Sequence, residues 1–160
     1  MGFNFKDLFI LDIANNHQGS LNHGLEIINQ HSKIIKKNQV RAGFKFQFRN
    51  LETFIHKDYL KSEIKHIKRF NETKISDNDY KKLLKEIKKH NLLSICTPFD
   101  EESVDKIVDF GFDILKIASC SSNDWPLLEK ISETNLPTII STGGLEIDEI
   151  DNIVSFAEHR

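Results

Sequence analysis

Polar and charged residues of one chemical kind recur where short apolar runs of this sequence end. Asp12 and Asn15-Asn16-His17 accompany the first run, and Lys45 with Gln47 the second. Thr97 closes the third, Lys116 and Ser119 the fourth, and Ser141-Thr142 the fifth. The two lysines offer point charges, while the glutamine, serines and threonines offer neutral donors. Such a set can hold a phosphate and a carboxylate together. Gly143-Gly144 would let the backbone approach a ligand closely, and the N-terminus of a helix starting near 146 favours anions.

Each residue also has a plainer explanation. A lysine near a strand end can snorkel to solvent, and buried serines or threonines commonly satisfy nearby backbone. His17 either lines the site or belongs to a turn. Asp12 lies between apolar residues, where an unpaired buried carboxylate is costly. Cys120 reads as a small packing residue, since no partner base is evident. The seven histidines show neither HxxxH nor HExxH spacing, so no metal site is read from the sequence.

Short strands and amphipathic helices would have to position these groups. Leu8–Ile13, Gly43–Phe48, Leu92–Cys96, Asp113–Ile117 and Thr138–Ser141 read as strands. Helical spacing covers 21–37, 100–110, 124–134 and 146–158, and Ser76 to Asp79 offers an N-cap for a helix ending near His90. The stretch 49–75 is basic and strand-free; its run from Lys57 to Lys74 is either a solvated face or a lid over the site. Strands alternating with helices predict a parallel sheet covered on both faces, with all strand C-termini on one side. An open doubly wound sheet would be complete at this length but lacks the expected GxGxxG loop. A closed barrel normally takes about 250 residues, leaving room here for five of eight units.

The chain has 160 residues, 39% hydrophobic and 29% charged, consistent with one soluble domain. A net charge of −2, from 22 basic and 24 acidic residues, gives no field for nucleic acid or an anionic membrane. The apolar run Leu8 to Ile13 is too short to span a bilayer and lacks the flanks of a signal peptide. Two cysteines, Cys96 and Cys120, make no disulfide framework, so a reduced cytoplasmic setting is expected.

Taken in order, these motifs resemble the N-acetylneuraminate (sialic acid) synthase family. Asp12-Ile-Ala-Asn-Asn-His-Gln-Gly19 is similar to its EIGxNHxG, and Lys45-Phe-Gln47 to its KFQ. Thr97-Pro-Phe-Asp100 matches TPFD, Lys116-Ile-Ala-Ser119 matches KIAS, Pro126-Leu-Leu128 matches PLL, and Ser141-Thr-Gly143 matches STG. The resemblance implies a partial (β/α)8 (TIM) barrel over residues 1–160, comprising its first five β/α units. It implies condensation of phosphoenolpyruvate with an N-acetylated amino sugar aldehyde such as N-acetylmannosamine. Residues Lys45, Gln47, Thr97, Lys116, Ser119 and Ser141 would hold phosphoenolpyruvate, with Asp12 at the catalytic end near the sugar. Asn16, His17 and Thr142 join the candidate substrate-binding set. A divalent manganese or magnesium ion would polarise the aldehyde, its histidine ligands lying in later strands that this chain lacks, as does the family's C-terminal antifreeze-like domain. Asp12 stands where the family usually has Glu, and Ser121 where it commonly has Glu.

Little turnover is expected from this part alone, and homodimerisation, or association with a complementary half, would cover its open sheet edges. Other readings are an anion-binding module without chemistry, a synthase for related keto-deoxy sugar acids, and a Schiff-base aldolase using Lys116 or Lys45.

Overall fold

The computed structural model describes residues 2–60 and 62–160. Five strands, β1 (Leu8–Ala14), β2 (Arg41–Phe48), β3 (Leu93–Pro98), β4 (Ile114–Ile117) and β5 (Thr138–Ile140), form one parallel sheet in the order β1-β2-β3-β4-β5. That order chooses between the two folds left open by the sequence. A doubly wound sheet reverses direction at a switch point; this one never does. Right-handed crossovers then put every connecting helix on the same side. The fold is a partial (β/α)8 barrel, and the opposite side of the sheet is its inner face.

The connecting helices are α1 (Leu21–Asn38), α4 (Asp77–Lys89), α5 (Glu101–Phe110) and α6 (Trp125–Ser132), and α7 (Ile147–Glu158) follows β5. Their starts follow side-chain capping chemistry. Ser20, Ser76, Asp100 and Asp124 each accept a backbone N–H from the first turn. Gly111 ends α5 at φ 77°, a left-handed conformation that glycine adopts without strain.

Strand β2 carries the logic of the sheet in its alternation. Phe44, Phe46 and Phe48 are buried on the helix side, where Phe46 and Phe48 meet Tyr80 of α4. Gly43, Lys45 and Gln47 face inward. Between β1 and β2 a bulge separates Asp12 from Ala14, and Ala14 takes φ 44°. The irregularity lets Ile13 enter the helix-side core while Asp12 stays in register with Lys45.

The stretch 49–75 contains two helices that apolar spacing did not predict, α2 (Leu51–Phe54) and α3 (Lys65–Glu72), with a 3-10 turn over Lys57–Tyr59. Lys61, inside its basic run, lies outside the described residues. The segment folds over the tips of β2 and β3, since Phe54 and Phe70 pack edge-on and Phe54 meets Phe99. Two hydrogen bonds fasten its base. Asn50 N–H donates to Asp100 Oδ2 at 2.9 Å, and the Asn50 amide reaches Glu102. Asp100 of the TPFD motif is therefore a joint between two loops as well as a helix cap.

Candidate active site

Parallel register brings residues two apart along neighbouring strands onto one face. Asp12 pairs with Lys45, Lys45 with Ile95, and Ile95 with Ile114. Lys116, two residues after Ile114, is thus on the same face as Lys45. Gln47 pairs with Thr97 one layer higher, so the inner face presents Asp12, Lys45, Gln47, Thr97 and Lys116 together.

Lys45 is only 8% exposed, and its Nζ lies 2.9 Å from Asp12 Oδ1. Asp12, read from the sequence as a buried carboxylate, is exposed, and it is the more deeply buried Lys45 that gains a counter-charge from the pair. Lys116 is partly buried and its ammonium pKa is lowered, first by desolvation and then by repulsion from Lys45, with Asp12 pulling the other way. The three groups thus feel one another, and the excess positive charge rests on Lys116.

The neutral donors fall into two sets. Thr97 is 1% exposed, and its Oγ1 is buried with no hydrogen-bond partner among the described residues. An orphaned buried hydroxyl is rare enough to require an explanation, such as a missing ligand atom. Gln47 is anchored at both ends: its backbone carbonyl accepts from Tyr80 Oη at 2.8 Å and its Oε1 accepts from Arg49 Nη2 at 2.9 Å. Across the sheet, Ser141 N–H donates to Ile117 O at 3.0 Å, and a Cβ at Gly143 would lie 3.7 Å from Ser119 Cβ. Ser119, Ser141 and Thr142 therefore form a neighbouring loop edge, more open to solvent than Thr97.

Three other groups singled out in the sequence lie at the margins of this face. His17 is fully buried, packed so closely on α1 that its Cβ lies 3.4 Å from where Gly24 would carry one. Its Nδ1 accepts Gly19 N–H at 3.2 Å, and burial lowers its pKa. It holds the β1–α1 turn, and its Nε2 is buried without a hydrogen-bond partner among the described residues. Asn16 is exposed on that turn, whereas Asn15 shares with Gln47 and Arg49 a pocket of about 230 Å³ beneath α2 and α3. The start of α7 is less open to an anion than the sequence suggested, because Glu146 and Glu149 satisfy two of its donors in a reciprocal capping box and add negative charge there.

Arg49 and Tyr80 are the residues that strand-end reasoning missed. The spacing of Gly43, Lys45 and Gln47 at period two could have pointed on to Arg49. Burial pushes the Cys96 thiol pKa up and makes it inert. Among the described residues no group of three or more His, Cys, Asp or Glu side chains suits a metal ion. With Asp12 engaged by Lys45, this donor set does not fit a divalent cation. No helix of the described residues is long and apolar enough to cross a membrane.

A half-barrel with a cationic, donor-lined strand-tip face places the chain in the class of (β/α)8 barrel proteins. Within that class the chain belongs to the NeuB family, whose sequence profile matches residues 35–160. A crystal structure from Chromobacterium violaceum, described as spore coat polysaccharide biosynthesis protein E, is 45% identical with a TM-score of 0.92; the match covers 96% of this chain and 46% of that one. N-acetylneuraminic acid (sialic acid) synthetase from Leptospira borgpetersenii, solved with citrate, is 27% identical with a TM-score of 0.79, over 96% of this chain and 50% of that one. N,N'-diacetyllegionaminic acid synthase of Campylobacter jejuni is 27% identical over 94% of this chain and 46% of its own length. The chain thus spans about half the length of the relatives it matches.

Proposed function

We propose that the inner strand-tip face binds phosphoenolpyruvate and presents it for condensation with an N-acetylated amino sugar aldehyde, giving a sialic- or legionaminic-type nonulosonate and inorganic phosphate. One observation carries this reading: Lys45 and Lys116 share a face with Asp12, Gln47 and the partnerless hydroxyl of Thr97. The names of the synthases it resembles support the reaction type.

In this scheme Lys116 and Lys45 draw the phosphate and carboxylate, and Gln47, Thr97, Ser119 and Ser141 orient them. Held so, the enol C3 faces the aldehyde carbon in a reactive geometry. A C–C bond forms as C3 attacks and the aldehyde oxygen gains a proton. Water adds at C2, and the C2–O bond to phosphate breaks from the tetrahedral intermediate. Positive charge already in place stabilises the departing phosphate without reorganisation. Asp12 keeps Lys45 aimed into the site. A divalent metal that polarised the aldehyde would need ligands beyond the described residues, which hold no group of three or more suitable side chains, and no step here passes through it.

Turnover is expected when the remaining β/α units of the barrel are supplied, because β1 and β5 are the sheet's edges and an apolar cup of Phe5, Leu8, Ile10, Thr138 and Ile139 lies open between them. The same edges make self-association, or association with those units, the expected state; a monodisperse monomer at high concentration in sedimentation would contradict this.

The test titrates phosphoenolpyruvate into the chain, with and without manganese, and assays condensation after co-expression with the complementary units of a relative. Saturable binding that Lys116→Met weakens by about a hundredfold is the expected result. Binding without turnover in every combination would leave an anion-binding module. A covalent adduct trapped by borohydride with a keto acid would instead make Lys116 a Schiff-base residue, as a desolvated lysine can be.

A further inference from the structure

We propose that Arg49 is a positioning residue for Gln47, locking the side-chain amide so that both of its N–H groups face an anionic ligand. The proposal rests on the phosphoenolpyruvate reading above and deepens it by assigning an orientation.

Arg49 follows Gln47 at period two and extends the inner row of β2 past the strand end. Its guanidinium is crowded by aromatic rings, with Phe99 at 4.1 Å, Phe70 at 4.5 Å and Phe54 at 5.8 Å from its central carbon. These rings come from three separate elements and fix the plane of the fork. Nε is buried without a hydrogen-bond partner among the described residues. The ionisable groups that act on the guanidinium are Tyr80, Arg69, Cys120 and Cys96, none of them a carboxylate, and burial lowers its pKa. A desolvated cation lacking a counter-ion costs stability, so its persistence points to a task.

The one side-chain hydrogen bond this guanidinium makes among the described residues supplies the task. Nη2 donates to Gln47 Oε1. A guanidinium has five donors and no acceptor, so the amide atom facing it must be the oxygen. With Oε1 turned to the guanidinium, the side of the amide away from Arg49 carries its two N–H donors. Without Arg49 the amide is free to turn half way round and present oxygen to phosphate, oxygen against oxygen. Tyr80 holds the backbone carbonyl of the same residue, so the donors are fixed in position as well as direction.

The experiment is calorimetric titration of phosphoenolpyruvate into the full chain, in a double-mutant cycle of Arg49→Met and Gln47→Ala, with Arg49→Lys alongside. Each of the first two variants is expected to weaken binding by about tenfold. The double variant should bind no more weakly than Gln47→Ala alone, since Arg49 acts through that amide. Arg49→Lys, which keeps the charge and loses the planar fork, should recover little.

Unchanged affinity in Arg49→Met would overturn the proposal, as would an undiminished Arg49→Met effect in the Gln47→Ala background. If Arg49→Met does not fold, as judged by circular dichroism, the side-chain amide resonances of Gln47 in the unsubstituted, nitrogen-15-labelled chain decide instead. They must move on adding phosphoenolpyruvate, and their standing still counts against the role. Failure of the unsubstituted chain to bind phosphoenolpyruvate at all is a different result: it removes the substrate reading, and this inference with it.

Discussion

The tip of β2–β3 and the tip of β4–β5 carry similar residue types but are built differently. Over β2–β3, α2 and α3 form a roof. Thr97 is buried there, Lys45 is paired with Asp12, and Gln47 is tied at both ends. Over β4–β5 there is no comparable cover among the described residues. Those strands have four and three residues against eight and six, and Ser119, Ser141 and Thr142 meet solvent. The contrast teaches which donors are set before a ligand arrives. Groups held by packing and hydrogen bonds exert their field without reorganising, while loop serines must still be ordered.

Breaking the roof should have the largest effect. Gly19 has φ 72°, and a Cβ there would lie 2.5 Å from the backbone carbonyl oxygen of Glu72 at the end of α3. Gly19→Val therefore adds left-handed strain to a clash that no side-chain rotation relieves. A loss of about 2–4 kcal/mol is expected, and at this size roughly 2–4 °C of melting temperature accompanies each kcal/mol. Hydrogen exchange should show α3 losing protection while β4 and β5 keep theirs. Equal loss at both tips would erase the distinction between them.

Much of this arrangement was legible in the sequence, for identifiable reasons. The five strands and their helices follow from apolar periodicity, and the strand-end residues from the rule that parallel strands share a C-terminal face. Helices α2 and α3 were not legible because their apolar residues are few, and Phe54 and Phe70 find each other and Phe99 only across long stretches of sequence. Arg49 was hidden for the same reason: its environment is assembled from positions 54, 70 and 99. The burial of His17 against Gly24 of α1 was not legible either, because it is a matter of tertiary packing that the motif around it does not encode. Strand order, the observation that chose the barrel, depends on non-local pairing that no local pattern encodes.

The two lysines sharpen the comparison through opposite couplings of function and stability. Lys116 has its pKa lowered by burial and by Lys45, so its charge is a burden in the free protein. Lys116→Met should weaken phosphoenolpyruvate binding by about a hundredfold while raising the melting temperature near pH 7. The sign follows from linkage. With a folded pKa below the unfolded value, the unfolded chain binds more protons between the two, so wild-type stability rises with pH across that window. The gain from Lys116→Met should accordingly shrink as pH climbs toward 10.5, the ordinary lysine value. A gain independent of pH would mean that packing, and not charge, explains it.

The smallest effects separate the tips most cleanly, because they compare one hydroxyl with another. Thr97 Oγ1 is buried without a partner among the described residues, so Thr97→Val, nearly isosteric, removes a desolvated polar atom and should stabilise the fold by about 1 kcal/mol. Ser141 is half-exposed, and Ser141→Ala should leave stability within about 0.5 kcal/mol. Both should weaken phosphoenolpyruvate binding by roughly five- to tenfold, each losing one donor to the anion. Denaturant melts and calorimetry on the same two variants provide both readouts. If Thr97→Val destabilised the fold as well as weakening binding, its hydroxyl would already be satisfied in the free protein. The roofed tip would then be ordered by its own contacts rather than held in readiness for a ligand.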